Sequence, residues 1–443
     1  MKTLKPTLFI LTLLPTAIPL AGGNVVTDWN TIASTTVVKN GGKAPSSSPI
    51  WFAYMSLAVY DAVNAITGQY RPFYYRGTAS PDASVDAAAA AAAHRVLVNY
   101  FPAQTSDLDA KFAASLSAIS VAQPAKDAGV AVGEASAASL IATRTGDGLE
   151  ASVPYVPGSG PGVWVPTPPA FAAAATPWLP QFRPFTMTTA SDYRPDGPTP
   201  LTSEAWKRDY NLTRLYGGAT STIRSAAETE IGLYWTEHPT QQYARAFSYL
   251  PDTYALSVPD ADRLMAMLWT GYADALIGCF DGKYAYNFWR PATATLVGGG
   301  NADLQADPSW VALAATPSHP EYPAAHACAS GAVSILLAGY FGTTKSSLGN
   351  GQSRVPGRRP HAHVRGFPRS DRRSLLGTDL CRLPLPPLAG GWGEAWRHDR
   401  SRIASKSLWT AALWSGCQWR NKGSQGALMA WGPHRFPNER RSR

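Results

Sequence analysis

A lysine and an arginine with six residues between them open the stretch of this 443-residue chain that is richest in chemistry: Lys283 and Arg290, in KYAYNFWRP. Pro291 beside the arginine marks the end of a helix. Further on comes TPSHPEYPAAH, Thr316 to His326, and then the apolar run Ala327 to Tyr340, which predicts a buried helix opening near His326. A tetrahedral oxyanion needs several donors converging on its oxygens. Lysine supplies a point charge, arginine a planar fork, and a helix start supplies backbone N–H groups and a favourable dipole. A histidine at that helix start can exchange protons near neutral pH, which suits general acid–base work. Each feature alone reads blandly, because a Lys/Arg pair is usually a solvated face and a lone histidine is usually structural. In this order, with these prolines, the combination predicts an anion-handling site.

Helices must position these groups. Trp51 to Ile66 carries apolar residues at helical spacing and ends before Gly68, a natural stop. Asp86 to Tyr100 and Ala125 to Thr143 are Ala-rich helical patterns with small faces suited to close packing. From Val153 to Pro200 prolines and glycines crowd together, which forbids long helices and predicts an extended loop over the surface or over a pocket. Helical patterning returns from Ser203 through Phe280. Strand alternation is scarce, so the predicted fold is an all-α bundle with a proline-rich central excursion.

The net charge of +9 belongs to the end of the chain. Thr343 to Arg443 carries 19 basic and 5 acidic residues, a net of +14, which leaves −5 for the rest. No basic stripe interleaved with aromatics runs through the body, which argues against nucleic acid as a partner. Lys2 and Lys5, the apolar Leu8 to Leu14 and the small residues Ala21 to Gly23 read as an export signal, so a secreted or periplasmic location is expected. No later apolar run is long enough to span a membrane. The four cysteines could pair in an oxidising compartment, but Cys279 and Cys328 lie in apolar segments, where a buried free thiol is the expected state, and Cys381 and Cys417 fall in the basic tail. No cysteine or histidine spacing fits a zinc site. The expected organisation is a leader (1–21), an N-terminal helical region with the Pro/Gly-rich loop (22–202), a catalytic half (203–342) and a basic irregular tail (343–443).

Lys283, Arg290-Pro291 and HPEYPAAH together resemble the first two signature blocks of the vanadium-dependent haloperoxidase and PAP2-type acid phosphatase superfamily. VVTDWNTIA at Val25, YDAVNAI, PGVWVPTPP and IGLYW resemble its bacterial haloperoxidase branch, so the likeness covers roughly Val25 to Gly342. It implies a vanadate cofactor, with hydrogen peroxide and halide as substrates. Lys283 and Arg290 would bind the anion's equatorial oxygens, and His326 would be the acid–base residue at an apical one; Lys283 and His326 would be the catalytic pair. Where the family has Ser-Gly before that histidine, this chain has Ala324 and Ala325. The hydroxyl is lost while the Ala325 N–H remains, an expected loss of about 1–2 kcal/mol in anion binding. A phosphomonoesterase using the same pocket, or a non-catalytic oxyanion-binding protein, are the alternatives.

The third block, an arginine followed six positions on by the histidine that bonds vanadium or attacks phosphate, is absent in frame after Gly342. None of His361, His363, His398 and His434 has an arginine six residues before it in a helical context. Ser374 to Leu388, SLLGTDLCRLPLPPL, can be written in codons that, read one nucleotide later, give A-S-W-A-R-I-F-A-G-F-H-Y-R-R. Thr378 then overlies the lost arginine and Pro384 the lost histidine. A frameshift is the expected cause of the basic tail, and an impaired enzyme its consequence.

Overall fold

The computed structural model describes residues 23–341. The leader and the basic tail, with Thr378, Pro384, Cys381 and Cys417, lie outside the described residues, and so do the four tail histidines. Among the described residues there are eleven α-helices and no strand: the fold is all-α.

The first five helices are α1 (Val25–Ala33), α2 (Pro49–Thr67), α3 (Val85–Tyr100), α4 (Thr105–Ala118) and α5 (Gln123–Arg144). A π-helical turn, Ser34–Asn40, follows α1. Proline at the first position opens α2, and Gly68 closes it in the left-handed conformation (φ 61°) that glycine adopts without steric cost. Nearly every side chain of α2 is buried, so it is a core helix rather than an amphipathic one. The alanine run of α3, Ala87 to Ala93, is buried against α5. Approach there is so close that a Cβ built on Gly133 of α5 would lie 2.4 Å from the Ala88 carbonyl oxygen. The sequence pattern missed α4, whose sole buried residue is Leu108, too little for an apolar stripe to show.

The second set comprises α6 (Glu204–Gly217), α7 (Ala226–Tyr234), α8 (Pro239–Thr253), α9 (Val258–Tyr286), the short α10 (Pro291–Ala294) and α11 (Ala325–Tyr340). The 29-residue α9 is buried along most of its length and packs on both α2 and α11. Trp269 of α9 stacks on Phe52 of α2 at 4.1 Å between ring centroids. Asp61 and Asn64 of α2 are structural. Asp61 accepts the N–H groups of Phe73, Tyr74 and Tyr75, and Asn64 holds both backbone polar groups of Tyr70.

The cysteine expectation is corrected. Cys279 of α9 and Cys328 of α11 form a disulfide, with Cα atoms 6.3 Å apart. An apolar setting favours a free thiol when each helix is read alone. The packing of α11 on α9 brings the two backbones within bridging range. Closing a loop with a sequence separation of 49 stabilises the fold by about 4 kcal/mol in the chain-entropy picture.

The Pro/Gly-rich connection from α5 to α6 is anchored at several points. Arg144, at the end of α5, donates to Asp147 (2.7 Å) and to the carbonyls of Arg183 and Pro184. Its guanidinium lies 4.4 Å from the Phe185 ring centroid. Asp274 of α9 accepts the backbone N–H groups of Phe185 and Thr186 and the Thr186 hydroxyl. Arg194 grips Asp281 of α9 with two hydrogen bonds, 2.6 and 2.8 Å. Farther back, Trp164 N–H donates to the Asn287 carbonyl and Trp289 N–H to that of Gly162, a two-bond bridge to the residues leading into Arg290. Between this loop and the end of α9 lies a cavity of about 330 Å³, walled by Val153, Pro154, Tyr155, Tyr284 and the Arg194–Asp281 pair. The excursion therefore covers a pocket and braces the C-terminal end of α9.

Candidate oxyanion site

The last turns of α9 present Lys283, which is 1% exposed. Asn287 then takes the left-handed conformation (φ 47°) that ends the helix, and Arg290 follows as the cap of α10. Arg290 is buried, and Trp289 beside it is a packing wall, stacked on Trp206. The third component is the segment His319 to Ala324, held against this region by the Glu321 N–H bond to the Phe288 carbonyl.

Lys283 and Arg290 both turn onto this segment. Lys283 Nζ donates to the carbonyls of Pro320 (2.8 Å) and Glu321 (2.7 Å), leaving one ammonium proton beyond these two acceptors. Arg290 Nε donates to the His319 carbonyl (2.6 Å), one terminal nitrogen pairs with the Glu321 carboxylate, and the other meets His319 Nδ1 at 2.8 Å. The same Nδ1 lies 3.0 Å from the Pro320 carbonyl, so the His319 ring is held between a donor, Arg290, and an acceptor. The sequence reading took the whole block as an anion site and gave no role to His319 or Glu321. Two titratable residues seven and five positions before His326 were the available signal.

His326 sits in the first turn of α11, one residue after Ala325. Its Nε2 is buried without a hydrogen-bond partner, and its ring meets Trp235 edge-on at 6.1 Å. Ala324 caps α11 with no side-chain bond to the first-turn N–H groups, so Ala325 N–H stands at an uncapped helix start. The structure thus gathers Lys283, Arg290, Ala325 and His326 in one neighbourhood.

Electrostatics bind the cluster together. Burial pushes the Lys283 ammonium well below the usual lysine range, and Arg290 adds to this while Glu321 opposes it. Burial also lowers His326, helped by Lys283 and opposed by Glu321. For His319 burial, Arg290 and Lys283 act together and hold it well below the ordinary histidine value. Burial alone would raise Glu321, but Arg290 and Lys283 outweigh it and hold the carboxyl below its ordinary value. A depressed histidine binds fewer protons folded than unfolded, so its stabilising contribution is present above about pH 6.5 and fades as pH falls. The carboxylates raised by burial, Asp61, Asp262 and Asp274, act in the opposite sense. A His319→Asn variant shares them, so the difference between the two chains isolates His319. Urea unfolding at pH 7 and pH 5 is expected to show the natural chain losing more stability than His319→Asn. Equal losses would mean that the ring already carries its proton.

Residues 263–368 match a family model, the VCPO second helical-bundle domain. The match takes in Lys283, Arg290, His319, Glu321 and His326, runs past Gly342 and stops before Ser374. Over this segment the chain is similar to the second helical bundle of that family. Solved vanadium-dependent haloperoxidases share the fold. A bacterial vanadium-dependent iodoperoxidase is 20% identical, with a TM-score of 0.60 over 73% of this chain and 82% of that one. An apo-type bacterial vanadium-dependent chloroperoxidase is 17% identical, with a TM-score of 0.53 over 67% of this chain and 78% of that one. No curated protein matches the chain.

The described residues offer donors and charge that fit a vanadate-like anion. The orphaned Nε2 of His326, the uncapped start of α11 and the two cations are donors and charge of the right kind. No group of three or more His, Cys, Asp and Glu able to hold a metal ion occurs among the described residues. No helix among them is long and apolar enough to cross a membrane. Arg224 and His238 are structural: Arg224 donates to the carbonyls of Tyr216 and Gly218, and His238 Nε2 lies 3.1 Å from the Lys43 carbonyl.

Proposed function

We propose that this haloperoxidase-like chain carries a vanadate site of the halide-oxidising type, impaired as it stands because the third-block histidine is not in frame. The observation that carries the reading is a histidine nitrogen, His326 Nε2, buried without a partner at an uncapped helix start within the field of Lys283. Such a group is left unsatisfied at a cost of about 1–3 kcal/mol unless a ligand meets it. Vanadate, when bound, supplies the Lewis acidity that activates hydrogen peroxide toward halide. The chain's own residues do the rest. Lys283 and Arg290 offset the anion's negative charge, Ala325 offers its N–H, and His326 holds or releases a proton at Nε2.

Orthovanadate is therefore expected to raise the melting temperature of the full chain in a concentration-dependent way. His326→Ala removes no hydrogen bond to the protein, so it should fold normally while binding vanadate about tenfold more weakly. Equal vanadate affinity in the two chains would remove His326 from the site. Hydrolysis of a chromogenic phosphate ester without peroxide would instead assign the pocket to a phosphomonoesterase.

A further inference from the structure

Lys283 and Arg290 direct five hydrogen bonds onto three consecutive residues of their own chain, His319, Pro320 and Glu321. Four of these acceptors are carbonyl oxygens or a ring nitrogen. The fifth is a full negative charge, the Glu321 carboxylate on Arg290. We propose that Glu321 is an internal anion that competes with the bound oxyanion for Arg290 and so sets the tightness and charge preference of the site. The inference rests on the oxyanion reading of Lys283, Arg290 and His326.

The two partners of the ion pair are unequally exposed. The Arg290 side chain is 8% exposed and that of Glu321 is 35%. Leaving the pair returns the carboxylate to water at little cost, whereas a buried guanidinium stripped of its counter-ion pays heavily. When an oxyanion approaches, the carboxylate is therefore the member that moves. Its field also reaches Lys283 and His326, since it opposes the depression of both. Glu321 thus cancels one positive charge that the pocket would otherwise offer. Repulsion grows with the charge of the incoming anion, so a dianion is penalised more than a monoanion. His319 and His326, both held below the ordinary histidine value by burial and the neighbouring cations, offer little compensating charge near neutral pH.

The test compares the natural full-length chain with Glu321→Gln and Glu321→Asp, with vanadate and sulfate as probes in titration calorimetry at one pH. Glu321→Gln is expected to bind vanadate about tenfold more tightly, with a larger gain for dianionic sulfate. Glu321→Asp, which keeps the charge, should stay near the natural affinity. A carboxylate that merely braces the loop would give the opposite result, weaker binding in Glu321→Gln. That outcome, or unchanged affinity, overturns the proposal while leaving the site reading intact if the natural chain binds vanadate. Absence of vanadate binding in every chain overturns both. If Glu321→Gln fails to fold, the infrared difference spectrum of the natural chain decides: displacement from Arg290 shifts a carboxylate stretching band on vanadate addition, and an unshifted band overturns the proposal.

Discussion

A protein expressed from a gene read one base later across the codons for Ser374 to Leu388 is expected to oxidise iodide with peroxide at least about a thousandfold faster than the chain as it stands. On the proposed reading the described residues supply charge and donors to the anion, and no group of three or more His, Cys, Asp and Glu able to hold a metal ion occurs among them. Removing one member of a catalytic unit typically costs between four and six orders of magnitude, because the members act together. In the codons considered above, the shifted frame would return an arginine and a histidine six apart, the spacing that the family resemblance implies for the third block. The matched family segment ends at residue 368, before those codons begin. Initial rates of triiodide formation at saturating vanadate, measured for both proteins, decide the matter. Equal rates would sink the frameshift account, and resequencing the gene across Phe341 to Arg443 would show whether the shift exists.

Replacing Arg144 by methionine is expected to destabilise the fold by about 3–5 kcal/mol. Arg144 and Asp147 are each only 2% exposed at the side chain. Loss of the guanidinium strands a buried carboxylate whose remaining side-chain partner is the Tyr54 hydroxyl. It also frees the Arg183 and Pro184 carbonyls and the rings of Phe182 and Phe185, so the central loop loses its tie to α5. Adding Asp147→Asn should recover part of the loss, since no uncompensated charge then remains buried. Urea unfolding of the single and double variants measures both effects. A single-variant loss below about 1 kcal/mol would show that the pair is effectively solvated.

The sequence exposed those parts of the site whose chemistry is carried by residue type and spacing. Lys283, Arg290 and His326 stand beside prolines and a helix start, and the fold brings them together. Glu321 and His319 lay in the same block, yet nothing in their spacing says that two cations will turn back onto their own loop. That outcome depends on how the segment before α11 packs against the residues after α9. The same distinction holds elsewhere. The apolar spacing of α2 declared a helix, and Gly68 its end. Cys279 and Cys328 each looked like a buried thiol, because a disulfide depends on a crossing between helices that neither helix encodes alone. The weakly amphipathic α4 stayed hidden, since a helix that buries one leucine leaves no periodic trace.

Three of the anchors described above, Asp274, Asp281 and Lys283, belong to the single helix α9. Their mutual spacing is fixed by the helical repeat, about 1.5 Å of rise per residue, and not by the conformation of the loop they hold. Insertions or deletions between those tether points can therefore redraw the walls of the neighbouring cavity without moving the ammonium group. The outline of that cavity and the placing of the ammonium become separately inheritable traits, one written in a tolerant loop and the other in a rod that the core will not let shift.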